Sequence, residues 1–417
     1  MKKLLILSFN LTREGENETP LSIASILAAL KNDKGYVKDF DVIHKPLNLL
    51  QNNHLHYLNF EYYLESYFYN QFDFIAISSF VWNEYLINPL INHLKLNGFT
   101  GKVILGGSQI TYANRDVLKM EYPQADIFIS NYAEKSLLEA ITDENPKLYY
   151  NSVPDFKTLP SPFLTGEYKI AQNQHMLRWE TKRGCPYACS FCAHRNLENG
   201  RVNYMEFEKG YKELALFKEK GVKRINVLDP VFNMGSSYIQ LMNEIERLQF
   251  HETTFTFQSK IELLAKAEGN KFLTLIEKTN SHLEFGLQTI IPEEYKIIDR
   301  KNDIKTINTQ LDILKSRGIS YETSLIYGLP NQTVHSFKES IEFIKSKGNA
   351  KVTAWPLMLL KGTPLFQEKE KWNFKEEVLN DFDIPVVTSS NSFNKDDWFR
   401  MKEMADSLNL NNRLVVC

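Results

Sequence analysis

Eleven short apolar runs, separated by stretches of helical periodicity, restrict this chain to α/β architectures. Strands that alternate with helices pair in parallel and need cover on their faces. Over residues 1–144 the strand candidates are KKLLILSF, DFDVI, FDFIAISSF, KVILGG and ADIFIS. Helices between them include PLSIASILAAL, where Pro20 suits a first turn, and EYLINPLINHLKLNG, which Gly98 can end. A doubly wound, Rossmann-like domain of five strands is expected. Such sheets bind ligands at the carboxyl ends of their strands. Those ends carry Ser8 to Gly15, Ser78 to Trp82, Gly106 to Thr111 and Asn131 to Glu134.

Residues 145–174, proline-dotted and containing LPSPFLTG, read as an inter-domain linker. A second alternation follows, with strands LRWETKR, RINVLDP, TFTFQSKI, HLEFGLQT, SYETSLIYGL and KVTAWPLMLL. Ile304, Ile307, Leu311 and Leu314 share one helix face, and Phe337, Ile341 and Ile344 share another. Six βα units over 175–370 make a partial (β/α)6 version of the eightfold TIM-type barrel, with chemistry at the C-terminal strand ends. Residues 371–417 are expected to form a small C-terminal element with one helix, DDWFRMKEMADSL.

The formal net charge of −2 offers no electrostatic argument for nucleic acid or an anionic membrane. No stretch approaches the ~20 apolar residues of a membrane span. MKKLLILSFN turns polar without a small-residue cleavage site, so it reads as a buried strand rather than a signal peptide. Four cysteines are too few for a disulfide scaffold, and a reducing, cytoplasmic setting is the expectation.

Three of those four cysteines fall in RGCPYACSFCAHR, at Cys185, Cys189 and Cys192, just after the first barrel strand. Chance clustering is one reading. A zinc site completed by His194 is a second. An iron–sulfur cluster with three thiolate ligands and one iron left open is a third.

CxxxCxxC after a strand, with Arg183-Gly184 before it and Phe191 before the last cysteine, resembles the radical S-adenosylmethionine (SAM) superfamily. The resemblance implies a 4Fe-4S cluster on Cys185, Cys189 and Cys192, whose open iron chelates the methionine moiety of SAM. One electron then cleaves the sulfonium to a 5′-deoxyadenosyl radical, which abstracts a substrate hydrogen. It implies a SAM site that includes Phe191, Asp229 against the amine, Gln258, Lys260 against the carboxylate, and Gln288 of FGLQT near the ribose. SLIYGLPNQT is similar to the recurrent I-x-G-L-P-G-x-T, with Asn331 in place of a glycine, and LLKGTPLF resembles PGTPL.

The doubly wound domain in front resembles that of the subgroup carrying a cobalamin-binding domain. VILGGSQIT and DIFISNYAEKSLLEAI carry this likeness. It implies a cobalamin contacted by Gly106, Gly107, Ser108, Gln109, Ser78 and Trp82. There are departures: Gln109 stands where histidine is common, and Asn131 and Ala133 replace two glycines. His44 lies three residues after Asp41, so no Asp-x-His-x-x-Gly ligand motif occurs. The implied activity is cobalamin-dependent methyl transfer to a natural-product or peptide substrate, fed by a donor such as flavodoxin or ferredoxin. The alternatives are a cobalamin-independent epimerase, cyclase or rearrangement enzyme, and a zinc-stabilised binding module. Cys417 is a candidate hydrogen-atom donor.

Overall fold

The computed structural model describes all residues except 13–14, 34–39, 52–53, 56–63, 65–68, 349, 380–383 and 411–417. It divides into two compact units, the first spanning Met1–Ala171 and the second Gln172–Leu379 with the chain from Pro385 onward.

In the first unit the elements run β1 (Lys2–Asn10), α1 (Leu21–Asn32), β2 (Phe40–Asn48), β3 (Phe74–Ser78), α2 (Glu84–Leu96), β4 (Lys102–Gly106), α3 (Arg115–Glu121), β5 (Ile127–Ile129), α4 (Ala133–Thr142) and β6 (Tyr149–Tyr150). Among the described residues they form one parallel sheet in the order β2-β1-β3-β4-β5-β6. The order reverses between β1 and β3, the crevice where such folds take ligands. Successive side chains on a strand point to opposite faces, which splits the core into two layers. Leu5, Leu7, Ile75, Ile77, Val103 and Leu105 pack with Ile87, Leu90 and Leu94 of α2. Leu4, Ile6, Phe74, Ile104 and Ile127 pack with Ile23 and Leu27 of α1 and Leu137 and Ile141 of α4. Each such fully buried side chain contributes about 1.5–3 kcal/mol.

The sheet has six strands among the described residues rather than five. The sixth, Tyr149–Tyr150, lies inside the stretch that reads as linker. β2 also runs on past Ile43, with Pro46 opposite Ser8 of β1. Proline cannot donate to a ladder, but β2 is an edge strand and needs no donor on its outer side.

The second unit contains β7 (Met176–Trp179), α5 (Phe207–Glu219), β8 (Arg224–Val227), α6 (Ser237–Leu248), β9 (Thr254–Ser259), α7 (Gly269–Lys278), β10 (Ser281–Gln288), α8 (Pro292–Ile297), α9 (Ile304–Ser316), β11 (Tyr321–Tyr327), α10 (Val334–Ser346), β12 (Ala350–Pro356) and α11 (Lys395–Leu410). β7 to β12 pair in parallel and in chain order, an incomplete barrel. Trp179 on the outer face of β7 is fully buried; it meets Phe217 edge-on at 5.9 Å and donates to Glu213 at 2.7 Å.

The C-terminal element does more than append. α11 takes the position of the sixth barrel helix, with Trp398 buried against Tyr327 at 5.6 Å. The Asn409 amide both accepts from the Ala354 N–H at 3.2 Å and donates to its carbonyl at 2.9 Å. One side chain thereby satisfies part of the open edge of β12.

Candidate active site

The cysteines sit on an excursion that leaves β7 and returns before α5. Lys182–Arg183 pairs antiparallel with Asn203–Tyr204, and the Met205 N–H donates to the Thr181 carbonyl at 3.0 Å, closing the base of the loop. The tip is tied to two other elements. The Ser190 N–H donates to the Ile298 carbonyl just beyond α8 at 2.9 Å, and the Ser190 carbonyl accepts from the Leu365 N–H at 3.1 Å.

All three thiols are free; Cys189 is buried, and Cys185 and Cys192 are half-buried. Burial pushes the Cys185 thiol up and the Cys192 thiol up to about 11, and each is further opposed by charge on its fellow cysteines. The three sulfurs are therefore electrostatic neighbours. The raised thiols of Cys185 and Cys192 are poor nucleophiles, and binding a soft cation would favour their thiolate form. The Tyr187 N–H donates to Cys185 and the His194 N–H to Cys192, as N–H groups that tune a cluster's sulfurs would. The Arg300 Nη1 lies 3.6 Å from the Cys189 sulfur, while its Nη2 donates to the Gly286 carbonyl.

His194 is exposed, and among the described residues no three His, Cys, Asp or Glu side chains converge on a single-ion site. The zinc reading thus lacks its tetrahedral donor set. Three neighbouring thiols with donors aimed at sulfur fit a cluster instead.

The other residues singled out in the sequence divide. Lys260 is buried beside this group, with its ammonium 2.7 Å from Glu262 and 5.1 Å from the ring centre of Tyr187. Its charge is thus already countered within the chain. Gln288 sits at a ladder irregularity in the left-handed region, φ 70. Its amide folds over Gly286, where a β-carbon would meet the Gln288 Nε2 at 2.6 Å and push that amide aside. Phe191 is half-buried, and Gln258 is exposed. Arg195 pairs with Asp299 at 3.7 Å. Cys417 lies outside the described residues.

Asp229, expected to face an amine, has partners within the chain. It is fully buried, and its carboxylate accepts from the Thr181 N–H at 2.7 Å, the Thr181 hydroxyl at 2.5 Å and the Lys182 N–H at 2.9 Å. Burial pushes its carboxyl up and pulls Lys182 down to about 8, while the charges attract each other.

Sequence reasoning missed Arg300, because an isolated arginine after a helix carries no pattern. It also missed the polar inner face of the barrel. There Arg224 donates to Asn226 at 2.9 Å, and Glu322 lies 3.1 Å from Lys351 and accepts from the Thr353 hydroxyl at 3.1 Å. Burial, then Glu322, raises the carboxyl of Glu284. Closed eightfold barrels fill this space with layers of mostly branched apolar residues.

In the first unit Gly107 has φ 95, and a β-carbon there would come within 2.4 Å of the Ser79 carbonyl. Only glycine allows this turn at the end of β4, before the short helix Ser108–Thr111. Ser78 and Gly106 end adjacent strands in register. Phe80 and Trp82 stack at 4.6 Å, with the Trp82 N–H on the Phe9 carbonyl at 3.3 Å. Gln109 departs from its expected part: its side chain is buried and donates to Glu84, which also accepts from Tyr122 at 2.8 Å. The amide is directed to α2 rather than left for a ligand.

Residues 179–344 match the profile of the radical SAM superfamily. That stretch is a radical SAM domain. The uS12 methylthiotransferase RimO of Geotalea uraniireducens is 24% identical over 275 residues, covering 60% of this chain and 57% of that protein. The cobalamin-dependent radical SAM methyltransferase TokK of Streptomyces tokunonensis is 23% identical over 331 residues, 70% of this chain and 48% of that protein. The chain spans about half the length of the curated relatives it matches. Among solved structures, the methyltransferase TsrM of Kitasatospora setae, with a tryptophan substrate and a SAM analogue, superposes with a TM-score of 0.72 at 14% identity, over 98% of this chain and 89% of that one. The cobalamin-dependent enzyme OxsB, with aqua-cobalamin and SAM, gives 0.65 at 14% identity, over 99% and 67%. The shared fold is a parallel α/β unit followed by a radical SAM barrel.

Proposed function

We propose that this chain is a cobalamin-dependent radical SAM methyltransferase acting on a small-molecule or peptide substrate. The observation that carries the reading is the trio of free thiols Cys185, Cys189 and Cys192, faced by backbone N–H groups and Arg300. Bound there, a 4Fe-4S cluster would supply one electron to cleave SAM, and a cobalamin at the first unit would carry the methyl group.

The chain's own residues take defined parts. Cys185, Cys189 and Cys192 would ligate the cluster, leaving one iron for SAM. Gln288 and Arg300, both beside Gly286, would orient the cosubstrate. Lys260, paired to Glu262, adds positive potential near the thiols rather than a free cation. The inner face with Arg224, Glu284, Glu322 and Lys351 suits a polar substrate. Ser78, Gly106, Gly107, Ser108 and Trp82 would line the cobalamin edge of the first sheet. A low-potential donor such as flavodoxin or ferredoxin would supply the electron.

A second reading is favoured by Gln109, whose amide is committed to Glu84. In it the first unit keeps the fold without cobalamin, and the barrel performs epimerisation, cyclisation or rearrangement. Anaerobic reconstitution with iron, sulfide, SAM and cobalamin separates the two. S-adenosylhomocysteine beside 5′-deoxyadenosine supports methyl transfer; 5′-deoxyadenosine alone supports the second reading. Absence of iron and sulfide in anaerobic protein would refute both.

A further inference from the structure

Lys182 and Asp229 are opposite charges, 2% and 0% exposed, placed where the cysteine loop begins. Removing two charges from water costs several kcal/mol per ion unless geometry and extra hydrogen bonds repay it. Here every bond the pair makes ties the loop to a neighbour. Asp229, just after β8, takes both N–H groups and the hydroxyl that Thr181 and Lys182 offer. The Lys182 ammonium reaches onward to the Phe232 carbonyl and, at 2.9 Å, to that of Met234. It also lies 5.7 Å from the ring of Tyr204, 5.2 Å from Phe232 and 5.5 Å from Tyr238. Tyr204 is the ladder partner of Lys182 on the returning strand. The pair thus joins the outgoing chain, the returning chain and the segment after β8.

We propose that Lys182 and Asp229 form a positioning clamp that orders the cysteine loop before any cluster is loaded. It rests on the cluster reading above only for its purpose, not for its geometry. Bringing together the ends of residues 184–202 costs chain entropy. A loop closed in advance presents three thiols to iron together, instead of ordering them as each bond forms.

The test uses the full chain, cluster-free and reconstituted, with Asp229→Ala, Asp229→Asn, Lys182→Met and, as a control for general destabilisation, Trp398→Phe. Amide hydrogen exchange in the cluster-free protein reads the clamp directly. Asp229→Ala and Lys182→Met should speed exchange at residues 181–183 and 203–205 by about tenfold or more, because each removes the hydrogen bonds that tie this segment to the chain after β8. Asp229→Asn keeps one acceptor oxygen and should restore part of the protection. Iron loss to a chelator should accelerate in the same rank order. Trp398→Phe should lower the melting temperature without changing exchange in that segment. The clamp is overturned if exchange there is unchanged, or rises only in step with the whole barrel. Should the unmodified chain take up no iron, the cluster reading fails while exchange still decides the clamp. Should clamp variants exchange faster yet retain iron as well as the parent, the loading role is wrong.

Discussion

Replacing Glu294 by alanine should cost about 3 kcal/mol, whereas glutamine should cost less than about 1 kcal/mol. Glu294 on α8 is fully buried, and its carboxylate accepts from Thr289 at 2.5 Å, Ser336 at 2.5 Å and Gln332 at 3.4 Å. Alanine leaves three donors without their acceptor, at roughly 1–3 kcal/mol each. The lower bound applies, because each donor keeps a second contact. Thr289 lies 3.4 Å from Ser340, Ser336 reaches the Thr333 carbonyl at 3.1 Å, and Gln332 reaches the Ile326 carbonyl at 3.0 Å. Glutamine behaves otherwise, because burial raises the Glu294 carboxyl and so favours its neutral form. A raised folded value means that stability is present below the unfolded carboxylate value and is lost as pH rises through the folded one. Glutamine copies the neutral shape and should remove that slope. The assay is anaerobic urea unfolding of the cluster-free chain at pH 5 and pH 8. Equal midpoints for the alanine and glutamine variants would refute the reasoning. A second readout follows from α8, which leads to the Ile298 carbonyl that receives the Ser190 N–H. Iron retention should fall with alanine and persist with glutamine.

Gly107→Ala should destabilise the first unit by about 2 kcal/mol or more, since it joins a positive φ to a clash with the Ser79 carbonyl; thermal unfolding measures it. His44 Nε2 and the Ser8 hydroxyl share a hydrogen bond at 2.8 Å, and burial lowers His44 to about 4. Stability should therefore fall as pH drops from about 6.5 to about 4, and His44→Gln should flatten that segment of a melting-temperature profile. Trp398→Ala should cost about 3–5 kcal/mol by emptying the contact between α11 and β11, measured as a shift in the urea midpoint. Serine at Cys185, Cys189 or Cys192 should abolish iron and sulfide retention without loss of the fold, read by metal analysis and circular dichroism.

Four of the six barrel strands, β7, β8, β10 and β11, alternate buried outward residues with less buried inward ones, as YETSLIY does along β11, while β9 and β12 were legible as short apolar runs. β1 was legible for the opposite reason: it is apolar on both faces and buried on both. Tyr149–Tyr150 was not, since two residues show no period and prolines surround them. Pro46 likewise hid the second half of β2 until its edge position was known.

Runs, periods and the spacing of Cys185, Cys189 and Cys192 are local properties, so residue order alone carried the fold class and the ligand trio. The partners of buried charges are not local. Asp229 meets Thr181 across 48 positions and Arg300 meets Cys189 across 111, so no window of sequence contains either pair. Both aspartate and arginine can serve a ligand or the chain itself. Which they do depends on what packing brings within hydrogen-bond distance, and packing turned Asp229 and Gln109 inward while it brought Arg300 to the thiols.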